Sequence, residues 1–164
     1  VDEFCLLSIE SYDDKEMRNV ASGEDLGLET EEEKEEVAKK REENSSLFEA
    51  MTEALPDDIT NVTATTRLKD AACCIVADGP VSLGMEKYFA TIPAAAGERP
   101  EAKHVLELNP DHPVFATLQA AQEAGEADKI AQYASLLYNQ ARLAEGLEIA
   151  DSAAFNEAIC ALMK

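Results

Sequence analysis

The sequence predicts an α+β fold, a small three-stranded sheet packed with helices and ending in a helical hairpin. Three observations support this prediction. Hydrophobic residues make up 46% of the 164 residues, but aromatic residues only 5%, and Trp is absent. The core must therefore consist of aliphatic side chains and Ala, a composition that favours closely packed helices. Three short segments have the patterning of strands, and from Pro110 onward the pattern is helical throughout.

Residues 1–28 are expected to be a lead-in, the tail of an upstream middle domain, and residues 29–164 a separate domain. The chain begins at Val1, within an apolar pattern and without a Met, which indicates a fragment of a longer protein. A polar turn is predicted for residues 11–15, followed by a strand near residues 17–21.

The first predicted helix occupies residues 29–58. Thr30 and Glu33 have the spacing of a capping box, in which each side chain accepts a hydrogen bond from the other residue's backbone amide. Acidic residues fill the first turns and basic residues follow, an order that suits the helix dipole. Pro56 is expected to end the helix.

Residues 59–110 are predicted to form the sheet together with one amphipathic helix, over residues 81–94. The strands are expected at residues 59–68, 73–77 and 104–108. The apolar face of the helix could pack in the core or adhere to other proteins, because Met and aromatic side chains make adaptable contacts. Both interpretations remain open for Val81, Met85, Tyr88, Phe89 and Ile92.

Residues 111–164 are predicted to contain the terminal helices. After a first helix that begins at Pro113, a second runs from about Ala127 to Glu145 and a third from Ser152 to Met163. The last two are amphipathic, rich in Ala and joined by a short loop. Two such hairpins from two chains would form a four-helix bundle, but the helices could equally cover the sheet of their own chain.

The charge balance excludes two classes of partner. Fourteen Lys and Arg residues face 34 Asp and Glu residues, so the net charge is -20. Such a chain repels nucleic acid and anionic membranes, since binding to both depends on cationic side chains. No apolar run reaches the ~18–20 residues of a membrane span. We expect no nucleic-acid partner, no membrane partner and a cytoplasmic location.

Residues that could carry catalysis or hold a metal are sparse. Cys73 and Cys74 are adjacent, no cysteine pair has C-x-x-C spacing, and no Gly-rich phosphate loop is present. His104 and His112 are eight residues apart across a predicted strand-to-helix junction, which argues against a shared metal site. The segment from Asn109 to Pro113 is interpreted as a turn that caps the following helix, in preference to a catalytic Asp-His pair.

Several segments resemble the C-terminal dimerisation domain of the heat-shock protein 90 chaperones, and are closest to the bacterial high-temperature protein G branch. The similarity is good from about residue 59 to the end. The residues that carry it are Arg67-Leu68-Lys69-Asp70, the segment from Val81 to Phe89, the run Leu106-Glu107-Leu108-Asn109-Pro110-Asp111-His112-Pro113, and the helix from Leu136 to Gly146.

The resemblance implies a homodimeric, ATP-driven parent chaperone that binds unfolded or partly folded clients. ATP and Mg would bind to a domain absent here, so we expect no cofactor in this chain and no enzyme. The chain ends without the acidic Met-Glu-Glu-Val-Asp tail of the eukaryotic branch, so tetratricopeptide co-chaperones are not expected to bind there. Val81 departs from the Met that is more frequent in the family.

The resemblance also assigns roles to residues. The helix from Val81 to Ile92 would contact clients through the five apolar residues named above. The last two helices would form the dimer interface through Ile130, Tyr133, Ala134, Leu136, Leu137, Ala141, Phe155, Ala158, Ile159 and Leu162. Two alternatives remain: an acidic, monomeric adaptor without a chaperone role, and an enzyme that uses Cys73, Cys74 or His112.

Overall fold

The computed structural model describes residue 9 and residues 11–17, 30–92 and 102–163. Eleven elements occur in these ranges, and the α+β class is confirmed. In chain order they are β1 (Ser11–Tyr12), β2 (Lys15–Glu16), α1 (Glu31–Glu43), α2 (Ser45–Glu53), β3 (Ile59–Ala64), β4 (Cys73–Asp78), α3 (Leu83–Thr91), β5 (Lys103–Leu108), α4 (Pro113–Glu123), α5 (Ala127–Ala144) and α6 (Ser152–Ala161).

The three predicted strands form one mixed sheet in the order β3-β5-β4. The last strand in sequence, β5, is central, parallel to β3 and antiparallel to β4. Strand β3 ends at Ala64, four residues earlier than predicted. The Thr65 hydroxyl accepts a hydrogen bond from the Arg67 amide at 3.3 Å, which turns the chain away from the sheet.

The predicted first helix is two helices that meet at Asn44. The capping box is confirmed, because Thr30 Oγ1 accepts from the Glu33 amide at 3.2 Å and Glu33 Oε2 accepts from the Thr30 amide at 2.8 Å. Asn44 is buried, and its Nδ2 donates to the Lys40 carbonyl at 2.7 Å. This bond competes with the helical pattern and separates α1 from α2, which ends at Glu53, ahead of Pro56.

The core lies between the sheet and two helices. Helix α2 packs on β3, α5 packs on β4, and α2 and α4 both contact α5. Two small residues of α5, Ala134 and Ala141, are buried at its contact surface and let the helix approach its neighbours closely. The largest fully buried side chains are those of Leu47, Met51, Val62, His104, Leu106, Leu108 and Leu118.

The remaining boundaries follow local sequence signals. Helix α3 begins at Leu83 rather than Val81, since Ser82 Oγ accepts from the Met85 amide at 3.1 Å and caps the helix there. Its C-cap is Ile92, so the helix is shorter than the predicted 81–94. The predicted turn at residues 11–15 joins the antiparallel pair β1 and β2. Most of the predicted strand at residues 17–21, and much of the 1–28 lead-in, lie outside the described residues.

Candidate interaction surfaces and a buried charge cluster

Helix α5 turns one apolar face toward its own chain. Ile130, Ala134, Leu137 and Ala141, four of the predicted dimer contacts, belong to the hydrophobic core. They are buried because α5 lies across β4 and against α2 and α4. Within the chain, each of these four side chains is 5% exposed or less. For this face, the helix covers the sheet of its own chain, as the alternative interpretation expected.

Helix α6 differs from every other helix in the described ranges because it buries none of its residues. Phe155, Ala158 and Ile159 are half-buried, and Leu162, at the C-cap, is 54% exposed. Phe155, Ile159 and Leu162 follow each other at four and three residues, so they share one side of the helix. The sequence analysis predicted dimer contacts at Phe155, Ile159 and Leu162, and also at Ala158. All four side chains remain accessible in the folded chain.

The exposed apolar surface continues on the outer side of α5. Leu136 is half-buried and Leu143 is 52% exposed, whereas Tyr133, another predicted dimer contact, is half-buried and packs against the core. Leu136 and Leu143 are one heptad apart and therefore lie on the same side. A cavity of about 660 Å³ opens beside the contact of α5 with α6 and reaches the loop before β3, with Leu136, Phe155 and Ala158 on its wall. We call the residues Leu136, Leu143, Phe155, Ile159 and Leu162 the terminal stripe.

The predicted client-contact residues lie on α3 and at its two ends, and their exposure is mixed. Tyr88 is 43% exposed and Ile92 40%, whereas Val81, Met85 and Phe89 are half-buried. The rings of Tyr88 and Phe89 lie 6.0 Å apart, between centroids. Leu83, which was not among the predicted contacts, is the buried residue of this helix. The face is thus partly packed and partly open to solvent.

A cluster of charged side chains lies beneath α3, around His104. The imidazole is 1% exposed, and its Nε2 lies 2.8 Å from Glu86 Oε2. Its Nδ1 lies 3.3 Å from Asp58 Oδ2. Tyr138 donates its hydroxyl proton to Asp58 and accepts from Arg142 Nη1 at 2.8 Å. We call these five residues the charge cluster.

Arg142 supplies the second positive charge of the cluster. Its guanidinium lies 3.3 Å from Asp58 Oδ2 and 3.8 Å from Glu86 Oε1. When His104 is protonated, two cations therefore face two carboxylates, and the buried charges balance. Balance of this kind is needed because an unpaired buried charge costs several kcal/mol.

The surroundings shift the pKa values of the cluster. Burial disfavours the charged form of His104, but its hydrogen bonds to Asp58 and Glu86 outweigh burial and raise the imidazole pKa above its ordinary value. Burial opposes the charge of Asp58 as well, yet hydrogen bonds from His104 and Tyr138 lower its pKa to about 2. Both shifts favour the ion-paired state of the folded protein.

The charge cluster was not predicted from the sequence. The partners of His104 come from the loop before β3, from α3 and from α5, so only the tertiary fold brings them together. One signal was available: Tyr138 and Arg142 are four residues apart and share a side of α5. His104 alone, at the start of an apolar strand, gives no such indication.

The residues proposed for an enzyme have structural roles. Burial raises the pKa of the Cys73 and Cys74 thiols to about 12, so the nucleophilic thiolate is scarce near neutral pH. His112 Nδ1 accepts from the Val114 amide at 3.2 Å and caps α4. Asn109 Oδ1 accepts from the Asp111 amide at 3.0 Å. The interpretation of this segment as a capping turn is confirmed.

Among the described residues, no helix is both long enough and apolar enough to cross a bilayer.

Bacterial chaperones resemble this chain over its whole length. It is 46% identical over 164 residues to the chaperone protein HtpG of Clostridium perfringens strain ATCC 13124, a match that covers 100% of the chain. It is 43% identical to HtpG of Oceanobacillus iheyensis and 41% identical to HtpG of Bacillus subtilis, each over 163 residues and 99% of the chain. The chain spans about 25% of the length of these relatives.

These matches correct one prediction. We expected the chain not to be an enzyme, on the ground that it lacks the ATPase domain of its parent. The similarity to HtpG chaperones extends over the whole chain and about 25% of their length. The chain is thus similar to a part of such chaperones. The prediction that it lacks the ATPase domain, and is therefore no enzyme, does not hold against these matches.

The model of the Hsp90 protein family matches residues 1–164, which is every residue of the chain. The match includes the lead-in as well as the region from residue 59 onward that carried the resemblance. The chain therefore belongs to the Hsp90 family of chaperones.

Proposed function

We propose that this chain forms the C-terminal dimerisation and client-contact segment of a cytoplasmic, ATP-dependent HtpG chaperone that assists protein folding. The observation that carries the proposal is the terminal stripe, because α6 buries no residue in its own chain although one side of it is apolar. The second copy of the chain is the partner that the stripe would bind.

An isolated helix as short as α6 needs a partner. Helices below ~12–15 residues are marginal in water, and most helix stability in proteins comes from packing of an apolar face. Helix α6 has 10 residues and contacts α5, but leaves Phe155 and Ile159 only half-buried. A second apolar surface against the stripe would complete its burial.

The charge of α6 favours a second copy of the same chain. The whole chain has a net charge of -20, so most of its surface repels an identical copy. Glu157 is the one charged residue among the ten of α6, all of which the structure describes. A face with little charge is the place where two such acidic chains can approach. A twofold arrangement of two α5–α6 hairpins gives a four-helix bundle, with the stripe on both sides of the interface.

Client contact is proposed for α3 on separate grounds. Tyr88 and Ile92 expose more than a third of their surface beside the half-buried Met85 and Phe89. Flexible Met and amphipathic Tyr side chains suit contacts with partners of variable sequence. Unfolded segments with exposed apolar side chains are the class of client that such a face would bind.

Light scattering over a dilution series tests the dimer. The chain has a mass of 17.8 kDa, and we expect a particle of twice that mass at micromolar concentration. Ile159→Asp places a carboxylate in the stripe and should shift the particle to a monomer, since an interface that buries an unpaired charge loses several kcal/mol. The matched control is Asn156→Asp, which adds the same charge at an exposed position of α6 outside the stripe.

A monomer at every concentration would contradict the dimer proposal. It would favour the second candidate, an acidic adaptor whose function does not need a second copy. A dimer that is equally stable in both variants would place the interface elsewhere on the chain.

A further inference from the structure

Helix α3 is fastened to the rest of the chain by charged side chains as well as by packing. Leu83 is the one buried residue among the nine of α3, all of them described. Two other residues of α3 make ion pairs with different elements. Glu86 pairs with His104 on β5 and with Arg142 on α5, and Lys87 Nζ lies 3.4 Å from Glu145 Oε2, just after α5.

The two attachments differ in strength. The pair of Lys87 and Glu145 is more than a third exposed on both sides, and exposed pairs contribute ~0–1 kcal/mol. The Glu86 carboxylate is 13% exposed and faces an imidazole that is 1% exposed. Glu86 also lines the cavity beside α5, but the imidazole side of this hydrogen bond is closed to water, and a buried charge-assisted hydrogen bond is stronger than an exposed one. Glu86 is thus the main charged attachment of α3.

We propose that Glu86, His104 and Arg142 form a polar latch that fixes α3 on the body of the chain and against α5. When the latch opens, α3 can move away and present more of its apolar face. The inference deepens the client-contact proposal and rests on it for its consequence, whereas the latch itself rests only on the contacts of Glu86. It also connects the helix proposed to contact clients with a helix of the terminal hairpin.

The protonation state of His104 decides how well the latch is closed. A protonated imidazole donates from both nitrogens, one toward Glu86 and one toward Asp58. A neutral imidazole has one donor, so one of these two carboxylates loses its hydrogen bond and the cluster gains a net negative charge. Deprotonation should therefore loosen α3.

No further titratable side chain faces the imidazole among its described neighbours. The strand residues paired with His104 are Ile59 on β3 and Ala77 on β4, neither of which titrates. Asp58 from the loop before β3 and Glu86 from α3 raise its pKa through hydrogen bonds and charge, and Tyr138 and Arg142 from α5 pair with these carboxylates.

Hydrogen exchange of the backbone amides of α3 tests the latch. In the Glu86→Gln variant, which keeps the side-chain shape and removes the charge, we expect exchange across residues 83–91 to accelerate roughly tenfold, the factor that corresponds to ~1.4 kcal/mol. Exchange in α4 should not change. The matched control is Glu49→Gln, which removes an exposed carboxylate from α2.

The unaltered chain provides a second measurement, which does not depend on how the variant folds. After correction for the intrinsic effect of pH on exchange, protection of α3 relative to α4 should fall as His104 loses its proton. Unchanged protection of α3, both in Glu86→Gln and across the pH range, would overturn the latch. Equal acceleration in α3 and α4 in the variant would reflect general unfolding, and the pH series would then decide.

Binding of a permanently unfolded, reduced model protein separates the latch from the proposed function. If the latch operates on a client surface, Glu86→Gln should bind this probe several-fold more tightly than the unaltered chain. Faster exchange of α3 without any change in binding would leave the latch standing and refute client contact through α3. Unchanged exchange would refute the latch, whatever the binding.

Discussion

At the scale of single residues, Asn44 shows how one buried polar side chain organises its surroundings. Its Nδ2 donates to the Lys40 carbonyl at 2.7 Å, and its Oδ1 accepts from Gln119 Nε2 at 2.9 Å. The first bond sets the break between α1 and α2, and the second joins that break to α4. Both bonds are partly shielded from water, because Asn44 is buried while Lys40 and Gln119 are half-buried.

We expect Asn44→Ala to lower the free energy of unfolding by about 2 kcal/mol, because it removes two bonds and leaves the Gln119 amide without its acceptor. Urea denaturation followed by circular dichroism measures this change. Ser45→Ala, at the neighbouring exposed position, is the control and should alter stability by less than ~0.5 kcal/mol. An equally small effect of both substitutions would show that the buried amide is dispensable.

At the scale of elements, α5 shows how far the sequence predicts this fold. Its apolar residues at three- and four-residue spacing predicted both the helix and its buried side. The spacing does not tell which surface covers that side, because a sheet of the same chain and a helix of another chain bury the same pattern. Contacts between distant segments determine which surface covers the apolar side of α5. Contacts of the same kind bring together the charge cluster around His104.

In the other elements too, features set by neighbouring residues were predicted from the sequence, and features set by distant contacts were not. The capping box of α1 and the capping turn before α4 depend on neighbouring residues, and the sequence predicted both. The break at Asn44 is set by a bond to Lys40 four residues before it, but the link of Asn44 to Gln119 of α4 and the central place of β5 depend on contacts between distant segments. Neither of these long-range features has a local signal. For the candidate surfaces, the sequence predicted contacts on α3, α5 and α6 but could not divide buried from accessible residues on α5.

Because Leu137 of α5 is buried and Ile159 of α6 is accessible, Asp substitutions at these two positions should have opposite outcomes. Leu137 lies in the core, so Leu137→Asp should destabilise the fold of each chain by about 4 kcal/mol or more. Ile159→Asp should leave the fold intact and affect only the dimer. Thermal unfolding followed by circular dichroism, together with light scattering, separates loss of fold from loss of the dimer. A well-folded monomer carrying Leu137→Asp would contradict the placement of this residue in the core.

At the scale of the whole molecule, the charge cluster joins four separate parts of the chain. It connects the loop before β3, α3, β5 and α5, while the apolar core holds α2, α4 and α5 to the sheet. Most of the core is apolar and carries no titratable group, whereas the cluster contains His104 and Asp58, whose pKa values are shifted by folding. Global stability should therefore depend on pH in a way that the cluster sets.

The direction of this dependence follows from the two pKa shifts. The pKa of His104 is raised in the folded chain, so its contribution is complete below its ordinary value of 6.5 and is lost as the pH rises through the folded value. The pKa of Asp58 is lowered from 3.8 to about 2, so its contribution is present above pH 3.8 and is lost as the pH falls toward 2. The cluster should therefore stabilise the fold most between these limits, at about pH 4 to 6.5.

Urea denaturation between pH 2 and 9, at one protein concentration, measures the profile. Asp58→Asn should remove about 2 kcal/mol of the decline on the acidic side, the free energy that corresponds to its pKa shift. His104→Gln should flatten the decline above pH 6.5. Asp57→Asn, which removes an exposed carboxylate beside Asp58, is the matched control. If His104→Gln keeps the full decline of the unaltered chain, His104 is not the group that links stability to pH, and the charge cluster acts only as a static contact between elements.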